Sequence, residues 1–152
     1  LTILAERVGA YGVGIDKSAV AVDVAGENAI ALGIENDWEL HLRSWHDAGW
    51  ADDLGTFDLI LCNPPYVEDD AALDAQVRAF EPASALFAGP EGLDDYRVLI
   101  PQLRALLNPD GIAILEIGAN QAEAVGALAA ASGFATTLRR DLAGRPRALI
   151  LM

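Results

Sequence analysis

Short β-branched or aliphatic runs alternate with Ala/Leu-rich amphipathic stretches along the whole chain, and no other feature constrains the fold as strongly. Strands that alternate with helices build an α/β architecture around a mainly parallel sheet. Residues 2–8 read as the end of a helix, and 12–15 as a short buried strand that ends in Asp16. Residues 18–32 read as a helix that Gly33 is placed to terminate, and 38–42 as a second strand. Residues 57–62 are continuously apolar apart from Asp58, the pattern of a central strand covered on both faces.

An acidic loop over 68–70 is expected to lead into a short helix through Phe80 and then an irregular Pro/Gly-rich segment. Leu99, Leu103 and Leu106 recur at helical spacing, with Pro101 predicting an N-terminal kink or a later start. Asn108, Pro109, Asp110 and Gly111 predict a turn into a strand over 112–117. Asn120 with Glu123 resembles a capping box for a helix ending near Gly133. Residues 134–138 and 148–151 then complete the sheet as an antiparallel pair joined through Gly144 and Pro146.

With 152 residues, 53% of them hydrophobic, the chain fits one compact domain and is too short for two ordinary ones, so residues 1–152 are expected to form a single domain. The formal charge is −13, from 23 acidic against 10 basic side chains, and such a surface repels phosphate backbones and anionic lipids. Nucleic acid is therefore disfavoured as the main partner. The single cysteine, Cys62, rules out an internal disulfide and suits a reducing compartment, so a cytoplasmic protein is expected. No apolar run approaches the ~20 residues of a membrane-spanning helix, and residues 1–7 lack the basic and apolar regions of a signal peptide.

The most pointed chemistry lies where the apolar run 57–62 passes directly into Asn63, Pro64, Pro65 and Tyr66. In an open parallel sheet, ligands bind beyond the C-terminal ends of the strands, which is where this tetrapeptide falls. Two prolines fix the backbone and remove two N–H donors, leaving the Asn63 side-chain oxygen and the Pro64 carbonyl as acceptors. An NH₂ group held by both presents one face of a planar nitrogen, and Tyr66 can pack against the flat group to fix its tilt. Methyl transfer from a sulfonium to such a nitrogen needs in-line positioning rather than a charged base. The competing reading is a rigid turn alone, since Asn-Pro pairs initiate turns.

Asp16 ends an earlier strand, where a carboxylate commonly accepts both hydroxyls of a nucleotide ribose; a helix cap for the next segment is the competing reading. Gly12 and Gly14 lie before or inside the strand rather than after it, so a phosphate-binding loop is discounted. Trp45, just beyond the second strand, could cover an adenine face or serve only as a half-buried anchor. Cys62 lies in an apolar strand without an activating neighbour, and His41 and His46 share no ligand spacing, so neither thiol catalysis nor a metal site is expected.

Taken with further segments, these residues resemble the protein N5-glutamine methyltransferases of the HemK/PrmC type, which modify peptide chain release factors. The segments are Phe57-Asp58-Leu59-Ile60 before Asn63-Pro64-Pro65-Tyr66, Glu81-Pro82 with Ala85-Leu86, and Gly89 followed by Glu91-Gly92-Leu93-Asp94. Leu115-Glu116-Ile117-Gly118 with Gln121, Gly133-Phe134, and Asp141-Leu142-Ala143-Gly144 before Arg147 complete the match. The resemblance implies a class I methyltransferase fold, Rossmann-like, whose last strand is antiparallel, and S-adenosyl-L-methionine as cofactor. It implies that Asp16 holds the ribose, with Trp45 near the adenine and Asn63 shared between cofactor and substrate. Asn63 and Pro64 would bind the glutamine amide in the Gly-Gly-Gln loop of a release factor. Pro65 and Tyr66 would pack beside it, and Glu81 would help shape the pocket.

Ser44 departs from the family's acidic residue, and the loop from there to Asn63 is longer. The family's first strand, its Gly-rich loop and its N-terminal helical domain have no counterpart before Leu1. The chain is thus expected to be the C-terminal catalytic portion of a longer protein, weak or inactive in isolation, and a monomer. The rival readings are a ribosomal-protein glutamine methyltransferase, a nucleic-acid amino-group methyltransferase, and a non-catalytic methyltransferase-like binding module.

Overall fold

The computed structural model describes residues 1–7, 9–34, 36–73, 76 and 80–152, which divide into two compact units, Leu1–Leu54 and Gly55–Met152. The first unit holds α1 (Thr2–Glu6), β1 (Gly12–Asp16), α2 (Ala19–Leu32) and β2 (Trp38–Leu42). Both strands are parallel and in register from Gly12 opposite Trp38 to Asp16 opposite Leu42. Their C-terminal ends therefore lie side by side. The helix between them begins where Ser18 Oγ accepts the Ala21 N–H at 3.3 Å. It ends at Gly33 in the left-handed region, φ 69°, with the Gly33 N–H returned to the carbonyls of Ala29 and Ile30. Gly12 and Gly14 are close-packing positions: a Cβ would stand 2.5 Å from Leu4 Cδ1 at the first and 2.9 Å from Leu40 Cδ1 at the second.

The second unit holds β3 (Phe57–Cys62), α3 (Ala83–Leu86), α4 (Asp94–Leu106), β4 (Leu107–Glu116), α5 (Ala122–Ala131), β5 (Thr136–Arg140) and β6 (Pro146–Leu151). Its strands form one sheet in the order β3-β4-β6-β5, with β3 and β4 parallel and β6 antiparallel to both of its neighbours. The expected C-terminal antiparallel pair is present. Helices α4 and α5 cover one sheet face, where Tyr96, Ile100, Leu103, Leu115, Val125 and Leu151 are fully buried. Burying an aliphatic side chain contributes about 1.5–3 kcal/mol, so this face is the main source of the unit's stability.

Several local expectations are corrected. Within the second unit β3 comes first in the strand order, with Cys62 on the helix side and Leu59 and Leu61 41% and 54% exposed. An unbroken aliphatic run does not say which faces have neighbours. The turn predicted at 108–111 is an irregularity inside β4, where Leu107 pairs with Phe57 and Ile112 with Leu59. Thr56 Oγ1 donates to Asn108 Oδ1 at 2.6 Å, and Asn108 Nδ2 donates to Asp58 Oδ1 at 2.7 Å, binding the excursion to β3. Gln121, not Asn120, precedes α5, and its side chain turns back to the Gly118 N–H instead of forming a capping box. The short helix expected up to Phe80 falls mainly on residues 74, 75 and 77–79, outside the described residues. Among the described residues, no helix is long and apolar enough to cross a membrane.

Pro101 lies inside α4, seven residues after its start, rather than at a kinked beginning. The position is exposed, so the ring and the Arg97 carbonyl it leaves without a helical donor face water, while Leu99, Ile100 and Leu103 keep the apolar stripe inward. Asp94 and Asp95 in the first turn favour the helix N-terminus electrostatically. Replacing Pro101 with Ala restores an N–H donor in the helix interior. It is expected to raise stability by about 1–3 kcal/mol, seen as a higher urea midpoint at unchanged slope.

Candidate functional site

The Asn63-Pro64-Pro65-Tyr66 segment leaves the C-terminal end of β3 as predicted. Pro64 and Pro65 are buried, Tyr66 is half-buried, and Asn63 is exposed. Among the described residues the Asn63 side chain makes no hydrogen bond, so its amide oxygen and nitrogen are open to a ligand. Asn63 also lines a cavity of about 400 Å³ with Leu61, Cys62, Ile114, Glu116, Arg147 and Ala148. The cavity is open to solvent and mostly apolar in its lining, with Asn63, Glu116 and Arg147 as its polar side chains.

The loop is held from behind by Gln121, which is 9% exposed. Its Oε1 accepts the Gly118 N–H at 3.0 Å, and its Nε2 donates to the carbonyls of Tyr66 at 2.9 Å and Gly92 at 3.1 Å. Gly92 sits at φ 64°, and a Cβ there would stand 2.3 Å from the Tyr66 carbonyl oxygen. Val67 extends the loop into an isolated parallel bridge with Phe87, its N–H donating to the Leu86 carbonyl at 2.8 Å and its carbonyl accepting the Ala88 N–H at 2.9 Å. Glu81, exposed just before α3, is not among the residues that line the cavity.

Beyond the tetrapeptide, the Tyr66 hydroxyl donates to Glu116 Oε1 at 3.0 Å, and Arg147 Nη1 stands 3.4 Å from the same oxygen. Burial raises the Tyr66 pKa, reinforced by the Glu116 hydrogen bond and charge and opposed by Arg147. Tyr96, fully buried in α4, donates its hydroxyl to the Glu116 carbonyl at 2.7 Å. Sequence reasoning assigned Tyr96 no role; its only signal is a polar tip in an otherwise apolar helical stripe. Burial pushes the Cys62 thiol up to about 12, with the Asp95 charge adding to the effect, so a thiolate nucleophile is disfavoured.

In the first unit, Asp16 ends β1 and Trp45 follows β2, so both lie at the C-terminal end of the two-stranded sheet. Asp16 Oδ1 accepts the Ser18 N–H at 2.8 Å, and Ser18 takes the helix-capping role. The carboxylate is thereby oriented with its second oxygen remaining to accept from a hydroxyl, an acceptor that fits a ribose. Trp45 is half-buried and tilted against His46, their ring centroids 6.4 Å apart. Arg43 donates to the Trp50 carbonyl at 2.9 Å and forms a two-pronged ion pair with Asp53, which fixes the loop that carries Trp45. The Arg43 hydrogen bond holds the Asp53 carboxyl down to about 2. Among the described residues, no cluster of His, Cys, Asp and Glu could hold a metal ion.

Solved structures share this architecture. A methyltransferase from Pyrococcus furiosus superposes with TM-score 0.69 at 15% identity, covering 99% of this chain and 66% of its own. The ribosomal protein L11 methylase of Lactobacillus delbrueckii subsp. bulgaricus gives 0.63 at 22%, covering 99% and 75%. A release factor-specific protein-(glutamine-N5) methyltransferase from Alicyclobacillus acidocaldarius gives 0.52 at 22%, covering 98% and 84%. The fold is that of the class I S-adenosylmethionine-dependent methyltransferases. No family model matches the chain. The release factor glutamine methyltransferase of Rhodospirillum rubrum is 42% identical over 99% of this chain and 46% of its own length. That of Cereibacter sphaeroides is 45% identical over 97% and 52%. In sequence the chain is similar to release factor glutamine methyltransferases, and it spans about half the length of the curated relatives it matches.

Two measurements check this anatomy. Gly92→Ala must leave the left-handed region or displace the Tyr66 carbonyl, and is expected to cost about 2–3 kcal/mol by urea denaturation. Cys62 ionises near its ordinary 9 in the unfolded chain and about 12 when folded, so the folded state keeps a proton the unfolded state releases. Its stabilising contribution is complete below pH 9 and is lost as pH rises toward 12, at up to about 1.4 kcal/mol per pH unit. Cys62→Ala should flatten the onset of that decline up to about pH 9, below the ordinary value of 10 at which the tyrosines ionise in the unfolded chain.

Proposed function

We propose that the protein uses S-adenosyl-L-methionine to methylate the side-chain amide nitrogen of a glutamine in the Gly-Gly-Gln loop of a peptide chain release factor. The observation that carries the reading is an exposed, unpartnered Asn63 on a proline-fixed loop at the end of β3. It occurs in a chain 41–45% identical to release factor glutamine methyltransferases. In this reading residues 1–152 belong to one methyltransferase domain of a monomer that acts on a protein substrate rather than a nucleic acid, in the cytoplasm.

Asp16 would hold the ribose of the cofactor and Trp45 would lie against its adenine. The cofactor supplies an activated methyl group on a sulfonium. Asn63 Oδ1 and the Pro64 carbonyl accept the two N–H hydrogens of the glutamine amide, which turns one face of its nitrogen toward the methyl group. Both acceptors become better matched as positive charge develops on that nitrogen, so they favour the transition state over the bound ground state. Pro65 keeps the loop rigid and Tyr66 limits the tilt of the amide plane. Glu81 would contact the substrate farther from the reacting atom. The methylated amide is then a strong acid and releases its extra proton to water.

The test incubates the protein at its full native length with labelled S-adenosyl-L-methionine and a bacterial release factor, with and without replacement of the Gly-Gly-Gln glutamine. Label is expected on the intact factor and not on the replaced one. Label on neither factor overturns the substrate assignment, and label appearing on a ribosomal protein would redirect it. Asn63→Ala should lower kcat by roughly 10²–10³, the scale for losing one preorganised hydrogen-bond partner in a transition state. Asp16→Asn should act mainly on the KM for the cofactor.

A further inference from the structure

The Tyr66 phenol is tied into a relay of side chains that the tetrapeptide itself does not account for. Its hydroxyl donates to Glu116 Oε1 at 3.0 Å. Arg147 Nη1 stands 3.4 Å from that carboxylate oxygen and 3.5 Å from the phenol oxygen, while Nη2 lies 3.8 Å from Asp141 Oδ2. Asp141 is itself fixed, since it accepts the N–H groups of Ala143 and Arg145 and the Arg145 Nε, each at 2.9 Å. The backbone of Glu116 is fixed as well, lying opposite Ala148 in the sheet with its carbonyl taken by Tyr96.

Tyr66 has two rotatable side-chain torsions, and fixing its backbone through Gln121 does not choose among its rotamers. The Glu116 bond chooses. A carboxylate oxygen is a strong acceptor for a phenol, and the Arg147 guanidinium stands beside the same oxygen. Glu116 and Arg147 also line the cavity that Asn63 enters, so the relay stands at the wall of the acceptor site and not elsewhere in the core.

We propose that Glu116 is a positioning residue for methyl transfer, fixing the Tyr66 ring beside the acceptor amide, with Arg147 and Asp141 holding the Glu116 carboxylate in place. The inference rests on the methyl-transfer reading above and adds residues that the family resemblance left without a role. Since Glu116 acts through the phenol, its removal and removal of the phenol disable the same device.

The experiment is a double-mutant cycle on the protein at its full native length, using Glu116→Ala, Tyr66→Phe and their combination, with kcat and KM measured separately. Each single change is expected to lower kcat about tenfold with little change in the KM for the cofactor, and the combination to be no slower than either single. Glu116→Gln, which keeps an acceptor oxygen, should recover part of the loss. Multiplying losses in the combination, or full activity in Glu116→Ala, overturns the proposal, whereas a stability role alone would leave kcat per folded molecule unchanged. An inactive wild-type protein would count against the methyl-transfer reading instead. The tether would then be judged by fluorine resonance from 3-fluorotyrosine at position 66: two slowly exchanging ring orientations that collapse to one averaged signal in Glu116→Ala support it, and identical spectra overturn it.

Discussion

Consecutive prolines at 64 and 65 set the terms for everything around the site. They take two N–H donors out of the loop that leaves β3, so at these two positions the loop is anchored by burying its rings and by carbonyls that accept. A buried donor must come from elsewhere, and Gln121 provides it. Its amide nitrogen has two hydrogens and serves the carbonyls of Tyr66 and Gly92, while its oxygen accepts the Gly118 N–H. A carboxylate at that position could not donate, and an aliphatic residue would leave buried carbonyls unsatisfied at about 1–3 kcal/mol each. The approach of Gly92 to Tyr66 is close because both carbonyls share one amide group, and this leaves no space for a Cβ.

The result is a frame that is rigid behind Asn63 and open in front of it. That division suits a reaction whose acceleration comes from orientation, because a hydrogen-bond acceptor helps only if it does not reorganise when charge develops. Groups that could compete with orientation are restrained: Cys62 is held as a thiol by burial, and the Glu116 carboxylate is occupied by Tyr66 and Arg147. The neighbourhood of Asn63 therefore offers acceptors and shape and disfavours a free nucleophile.

Local sequence rules carried the reading furthest where a feature depends on near neighbours. Ser18 and Gly33 bound α2, the apolar run 57–62 is a strand that delivers Asn63, and Gly144 lies in the connection of an antiparallel pair whose second strand opens on Pro146. The reading failed where a tertiary partner overrode local chemistry. Pro101 is tolerated inside α4 because the buried stripe is on the opposite side of the helix. The Asn-Pro-Asp-Gly sequence is drawn into a strand excursion by side-chain bonds to Thr56 and Asp58, fifty residues away. Gln121 displaces Asn120 at the start of α5 because its amide is required by Tyr66 and Gly92. The bond between Tyr66 and Glu116 likewise spans fifty positions, and no periodicity in one sequence signals it.

Charge placement gives the acceptor site a further character. Several arginines of this acidic chain have carboxylate partners of their own: Arg43 pairs with Asp53, Arg97 with Glu91 and Asp94, Arg145 with Asp141, and Arg147 with Glu116 and Asp141. Their charges fix loops and the Tyr66 relay, and each such pair presents little net field to an approaching ligand. A phosphate backbone is bound by rows of cations that are free to exchange counterions for phosphates, and the net charge of −13 works against such binding. In the proposed function, shape and paired hydrogen bonds select the acceptor, and a planar amide on a protein loop supplies both without asking for counterion release.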